Sequence, residues 1–308
     1  MRAIEVKDGG LILAERVKPA PAAGEVLIEV HAAGVTADEL NWEPTTHTRD
    51  GRERQDAIPG HEFSGIVVEL GEGILGFAAG DAVFGMNDWY EDGATAEFCI
   101  ARPASLAHKP ANLSHVEAAS VPIPALTAWQ GLIDRGKVRR GERVLVHGGA
   151  GGVGLFAVQI AHAQGAHVVA TASSSSLEFV RSLGVDEVID YHAQAFDEVV
   201  APVDVVFDTV GGDTLERSWG ILKPGGRLVT IAADVENSQD PRMKDAFFIV
   251  EPKGDQLAGI ARQLEAGSLK TFLKAVVPFD EAPSAYTKSI PGALPYGKVV
   301  VSVRNDEK

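Results

Sequence analysis

The chain has 308 residues, 45% hydrophobic and 23% charged, the make-up of an ordinary globular protein; at about 100–200 residues per domain two domains are expected. Lysine and arginine number 28 against 43 aspartates and glutamates, and the resulting charge of −15 repels nucleic acid and anionic lipid, which excludes both as expected partners. No apolar run approaches the roughly 18 residues of a membrane span, and MRAIEVKDGG lacks the apolar core of a signal peptide, so a cytoplasmic protein is expected.

From its start the chain reads as β structure. AIEV, EVLIEV, SGIVVEL, DAVFGM and AEFCIA are short apolar runs separated by Gly, Pro and Asp clusters. Cys99, the one cysteine, is expected as a buried small hydrophobe; a single thiol makes neither an internal disulfide nor a cysteine-built zinc site. Residues 41–58 are polar, carry charges of both signs and lack an apolar period, so a long loop or short helix is expected there. Ser114 and Glu117 form a capping box. Pro122 and Pro124 are expected to interrupt the helix, which resumes over 125–135.

Strand and helix then alternate, with strands expected at 143–146, 167–171, 187–189, 203–209 and 227–231. Val153, Phe156, Ala157, Ile160 and Ala161 mark one helical face between them. KPGG at 223–226 reads as a turn before the fifth strand. FFIV at 247–250 reads as a further strand, followed by a helix with Leu257, Ile260 and Leu264 on one face. KAVVPF and GKVVVSV close the chain as strands. Such alternation implies a parallel sheet wrapped on both faces. The expected division is 113–251 for this α/β domain and 1–112 with 252–308 for a mostly β domain.

The chemistry is carried by RVLVHGGAGGVG at 143–154. Gly149, Gly151 and Gly154 satisfy G-x-G-x-x-G, with Gly152 as an extra, where a strand runs into a helix. Gly149 is expected to allow the tight turn. Gly151 and Gly152 let backbone amides approach a pyrophosphate, and Gly154 lets the helix pack on the strand. The first helical amides and the positive end of the helix dipole suit phosphates. The plainer alternative is a glycine-rich turn without a ligand.

An NAD site places an acid about 20 residues on, at the end of the second strand. Here that strand ends in ATASS at 170–174 with no acid before Glu178, and the hydroxyls of Ser173 and Ser174, with Tyr191 from the third strand, suit a 2′-phosphate. NADPH is therefore expected over NADH, although no Lys or Arg lies in TASSSSLEF.

With that motif placed, the sequence resembles the medium-chain dehydrogenase/reductase superfamily, and within it the zinc-free quinone oxidoreductase-like branch. The marks are HAAGVTADEL (31–40), IPGHEFSGIVVELGEGI (58–74), GDAVFG (80–85), VPIPALTAWQGL (121–132), LGVDEVIDY (183–191), VFDTVGGDTLERSWGILKPGGRLV (206–229) and GKVVV (297–301). The resemblance implies an α/β fold: a GroES-like, mostly β catalytic domain plus a Rossmann doubly wound parallel-sheet domain, with a cleft between and a homodimer as the family habit. It implies cofactor contacts at Thr127 beside the nicotinamide, at Gly149, Ala150, Gly151, Gly152 and Val153, at Val210 and Gly211 of the TVGG turn, and at Ile231. Val250 is implied at the carboxamide, and Ser173, Ser174 and Tyr191 at the 2′-phosphate.

Zinc members use a cysteine near the GVTAD position, the histidine of GHE and a further cysteine near 122–127. Thr36 stands near the first, His61 survives, and the third is not a cysteine, so no metal is expected and His61 is read as a hydrogen-bonded structural histidine. The family's pocket tyrosine is replaced by Trp42. Thr36, Asp38, Asn41 and Trp42 are the implied catalytic-side candidates; for Asp38 a cap, and for Trp42 core packing, are the plainer alternatives. His47 and His147 are expected to have no role. Without a metal, hydride transfer suits a small-molecule acceptor that delocalises its own charge, a quinone or an α,β-unsaturated carbonyl. A non-catalytic NADPH-binding protein and an alcohol dehydrogenase are the alternatives.

Overall fold

The computed structural model describes residues 1–7, 9–232, 240–287 and 290–304, with only the backbone of Ala37. Strands β1 (Arg2–Lys7) and β2 (Gly10–Glu15) form an antiparallel hairpin. There follow β3 (Val26–Gly34), β4 (Glu62–Leu70), β5 (Ala82–Met86), β6 (Phe98–Ala101) and β7 (Leu106–His108). After helices His115–Ala119 and Pro122–Trp129 come β8 (Arg143–Val146), β9 (His167–Ala172), β10 (Glu187–Asp190), β11 (Val203–Asp208) and β12 (Leu222–Thr230). Helix Gly254–Glu265 precedes β13 (Leu273–Pro278) and β14 (Lys298–Ser302).

Two larger sheets hold the other twelve described strands. One has seven strands in the order β13-β14-β3-β4-β5-β7, with β6 also on β3, so both ends of the chain build the GroES-like sheet. The other has five, β10-β9-β8-β11-β12, all parallel, in the Rossmann order that reverses between β8 and β11. Val144–Val146 and Val205–Phe207 are fully buried, as expected of strands covered on both faces. Helix Gly152–Ala163 buries Phe156, Ala157, Ile160 and Ala161 of the expected face, leaves Val153 half-buried, and also buries Leu155, Val158 and Gln159, so it is covered on more than that one face. The capping box is present: Ser114 Oγ accepts from the Glu117 amide at 3.2 Å, and Glu117 Oε2 from the Ser114 amide at 2.9 Å.

Some expectations need correction. Pro122 and Pro124 do mark an interruption, but the helix that ends at Ala119 resumes at Pro122 itself rather than at 125. They lie in its first turn, where no amide proton is needed, and the chain continues as a wider π-helical turn over Gln130–Arg135. KPGG is not a turn outside the sheet: Leu222 already pairs with Val203 and Arg227 with Val205, so it bulges out between paired segments, with Gly225 at φ +78. FFIV is not a strand; only Phe247 makes a bridge, to Thr230. Residues 41–58 are partly ordered by helix Glu43–Thr46 and a His47–Glu53 bridge. No helix among the described residues is long and apolar enough to cross a membrane.

Candidate functional site

The glycine loop leaves β8 at the carboxyl edge of the parallel sheet, beside its order reversal. The left-handed residue of the turn is Gly148 (φ +71) rather than Gly149, whose added Cβ would instead meet Ala170 Cβ at 3.0 Å. A Cβ on Gly154 would sit 2.1 Å from the Gly148 carbonyl, so that glycine lets the helix close onto the turn. The Gly151 amide is spent on the Gly148 carbonyl at 2.9 Å. Gly152 and Val153, the first helical residues and both half-buried, keep amides that no intrahelical carbonyl can reach. That is the arrangement a pyrophosphate needs.

The other sheet meets this loop through the start of β14. Gly297 donates its amide to the Ala150 carbonyl at 3.1 Å and bridges Gly151. Lys298 follows, its Cδ 3.4 Å from where a Cβ on Gly152 would stand. Its Nζ lies 2.6 Å from Glu62 Oε1 and donates to Thr36 Oγ1 at 3.1 Å. Glu62 is fully buried and also accepts from the Ile123 amide at 2.9 Å. Burial pushes its carboxyl above the usual range, and the Lys298 charge pulls it back. Sequence reasoning missed Lys298, seen there only as part of GKVVV.

The candidates divide on this frame. Thr36 is at the centre, and Trp42 stands edge-on to Trp89 with ring centres 5.0 Å apart. Trp89, also missed, donates its indole proton to the Val250 carbonyl at 3.2 Å, tying the β side of the cleft to the segment after β12. Asp38 and Asn41 lie exposed on the turn Ala37–Asn41; the side chain this turn buries is Glu39. Thr127 is buried and gives its proton to the Ile123 carbonyl at 2.7 Å, which leaves its oxygen as an acceptor.

The TVGG turn folds over a buried carboxylate. Asp208 accepts from the amides of Val210 (3.1 Å) and Gly211 (3.0 Å) and from Thr230 Oγ1 (2.7 Å), while Ile231 donates to its carbonyl at 3.1 Å. His147, expected to have no role, is a buried structural link. Ser218 gives its proton to the Thr214 carbonyl, so His147 Nε2 donates to Ser218 at 2.9 Å. Burial, with Arg217 nearby, lowers its pKa to about 4 and keeps it neutral.

At the far end of the loop, Ser174 donates to Asp190 Oδ2 at 2.5 Å. Asp190 is in register with Ala172, so the acid missing from the end of β9 arrives from the neighbouring strand. Ser176 donates to the Pro295 carbonyl at 3.1 Å, and Ser173 donates to Ser176 at 3.3 Å. Tyr191 is half exposed, its ring against His192.

The residues present do not suit a zinc ion. His61 Nδ1 lies 2.7 Å from Glu39 Oε2 and Nε2 3.2 Å from the Glu91 carbonyl, a neutral ring donates to only one of them, and no cysteine stands beside it as a further ligand. Glu62 is paired with Lys298, and Cys99 lies in β6 with its thiol pushed up by burial. Among the described residues no three His, Cys, Asp or Glu side chains come together as a metal site. A separate hollow of about 470 Å³, lined by Arg16, Asn87, Asp92, Cys99 and Arg102 among others, has no glycine-loop residue in its wall.

Residues 22–111 match the family described as alcohol dehydrogenase GroES-like domain, and 152–276 that described as zinc-binding dehydrogenase. The chain is 33% identical over 314 residues to a probable zinc-binding oxidoreductase, mitochondrial, of Arthroderma benhamiae, across 95% of this chain and 93% of that protein. It is 30% identical to the NAD(P)H oxidoreductase RTN4IP1, mitochondrial, of Danio rerio, across 92% of this chain and 85% of that one. The quinone oxidoreductase from Coxiella burnetii has a similar structure, with a TM-score of 0.88, 29% identity and 99% of each chain covered.

Proposed function

This chain belongs to the medium-chain dehydrogenase/reductase superfamily, and from that premise we propose that it is a metal-independent reductase. It passes hydride from a reduced nicotinamide dinucleotide to a quinone or an α,β-unsaturated carbonyl. The observation that carries this reading is Lys298: one cation touches Thr36 at 3.1 Å and stands against Gly152 of the glycine loop. The phosphate-binding helix end and a polarised hydroxyl thus share one cleft.

The dinucleotide, when bound, supplies the hydride. The amides of Gly152 and Val153 would hold its pyrophosphate, the Val210–Gly211 turn its ribose, and Thr127 and Val250 the nicotinamide side. Thr36 accepts from Lys298, so its own proton is free for a substrate carbonyl oxygen. The ammonium behind it favours negative charge building on that oxygen, as in an enolate or hydroquinone anion. Protonation of the enolate carbon or of the hydroquinone oxygen is left to water. Trp42 and Trp89, edge to face at 5.0 Å, would supply apolar surface on the β side of that cleft.

A screen of reduced-cofactor oxidation over quinones, enals, enones and saturated ketones tests this. Turnover of the first three classes is expected; fast reduction of saturated ketones alone, or tight cofactor binding with no turnover of any acceptor, would overturn it. We also propose the domain division at 112/113 and 251/252, a cytosolic location and a homodimer. Limited proteolysis, cell fractionation and light scattering test these in turn.

A further inference from the structure

The proposed reductase requires a dinucleotide, and the residues at its adenosine end choose between a 2′-hydroxyl and a 2′-phosphate. We infer that Asp190, reaching across from β10 to Ser174, sets this choice and makes the chain prefer NADH. The inference rests on the nicotinamide reading above and reverses the sequence expectation of NADPH.

The geometry starts from the strand register. In a Rossmann sheet the adenosine ribose lies over the end of the second strand, where an acid receives its hydroxyl protons. Here β9 ends at Ala172 without an acid, but Asp190 is its direct partner on β10. Adjacent strands lie about 4.8 Å apart, so a carboxylate one strand over needs only a short reach. Asp190 makes it, with Oδ2 2.5 Å from Ser174 Oγ and the His192 amide holding Oδ1 at 3.0 Å. The Ser174 bond and that amide keep the carboxyl below its usual range, so it is charged at neutral pH.

The serine protons point the wrong way for a phosphate. A hydroxyl has one proton to give. Ser174 gives its own to Asp190, Ser176 to the Pro295 carbonyl, and Ser173 to Ser176. With Ser173 committed, its contact with Ser175 Oγ at 3.1 Å requires Ser175 to donate. The run thus presents lone pairs and a negative charge, complementary to a ribose diol that donates and repulsive to a phosphate that only accepts. Tyr191 is the one phosphate contact implied by the family whose hydroxyl lies outside this scheme.

Titration of NADH and NADPH into wild-type, Asp190→Asn and Ser174→Ala proteins at low salt, followed by tryptophan fluorescence with circular dichroism as the fold check, decides the matter. Wild-type protein should bind NADH tighter, by about tenfold, the scale of a unit charge a few ångströms from a phosphate near water. Asp190→Asn should close most of that gap through NADPH. Ser174→Ala keeps the carboxylate and should keep the preference. Tighter binding of NADPH by the wild type, or an unchanged ratio in folded Asp190→Asn, overturns the assignment while leaving the reductase reading intact. Failure of folded wild-type protein to bind either dinucleotide overturns the reductase reading and this assignment with it.

Discussion

Replacing Lys298 by methionine keeps most of the side-chain volume and removes the charge that Glu62 depends on. Glu62 is fully buried and the Lys298 side chain is 11% exposed, so little water is at hand to take over. Unit charges 2.6 Å apart attract by roughly 6 kcal/mol at an effective dielectric near 20. That gross figure is offset by the desolvation of both groups, and breaking one side of a buried pair costs about 3–5 kcal/mol. At about 2–4 °C per kcal/mol for domains of this size, Lys298→Met should lower Tm by about 10 °C.

The pH dependence gives the sharper test. Burial already raises the Glu62 carboxyl above its usual range, and Lys298 is the largest influence holding it down. Without Lys298 the folded protein takes up a proton at a pH where the unfolded chain does not. Stability is then favoured below the ordinary carboxylate range and falls as pH rises through the raised folded value. The Tm deficit should therefore be large at pH 8 and shrink at pH 5.5, and adding Glu62→Gln should recover most of it at pH 8. Scanning calorimetry on the two single variants and the double variant measures this. A loss below about 2 °C at pH 8, or a deficit equal at both pH values, would refute the reasoning.

A Cβ on Gly152 meets only Lys298 Cδ at 3.4 Å and Pro124 Cγ at 3.9 Å, both ordinary contacts. Gly152→Val should therefore fold yet lose cofactor affinity by about 100-fold or more, read by fluorescence titration, because its side chain covers the phosphate amides. Gly154→Ala, aimed 2.1 Å from a carbonyl, should instead fail to fold, read by circular dichroism. With no three metal-ligating side chains brought together among the described residues, elemental analysis should find well below one zinc per chain, and chelators should leave turnover unchanged. His147, with its folded pKa lowered to about 4, stays neutral where the unfolded chain binds a proton, so its contribution is lost as pH falls from about 6.5 toward 4. His147→Gln should flatten that part of the stability profile by about 3 kcal/mol in urea titrations at pH 7.5 and 4.5.

What was legible in the residues follows from how local each cause is. The first four strands of the parallel sheet, the capping box at Ser114 and the glycine loop are written in neighbouring residues, and the structure places them within a residue or two of expectation; the fifth strand begins five residues early, at Leu222. FFIV misled because four apolar residues suit a strand, whereas only Phe247 forms a β-bridge. Asp190 was missed because the acid was sought along β9, while parallel pairing supplies it from β10. Lys298 and Trp89 were invisible for a stronger reason: their partners lie far off in sequence, Thr36 at 262 residues and Val250 at 161. No local pattern marks a lysine at the start of a strand as the cation of a cleft. Once β14 is laid beside β3 and its first residues bridge the glycine loop, Thr36 changes meaning. It is then a hydroxyl with an ammonium on its lone pair and its proton free, set where the resemblance puts a metal-ligand cysteine in zinc members. That gives the cleft its own source of positive potential, and it is the physical basis of the proposed metal-independent reduction of acceptors that need modest rather than Lewis-acid stabilisation.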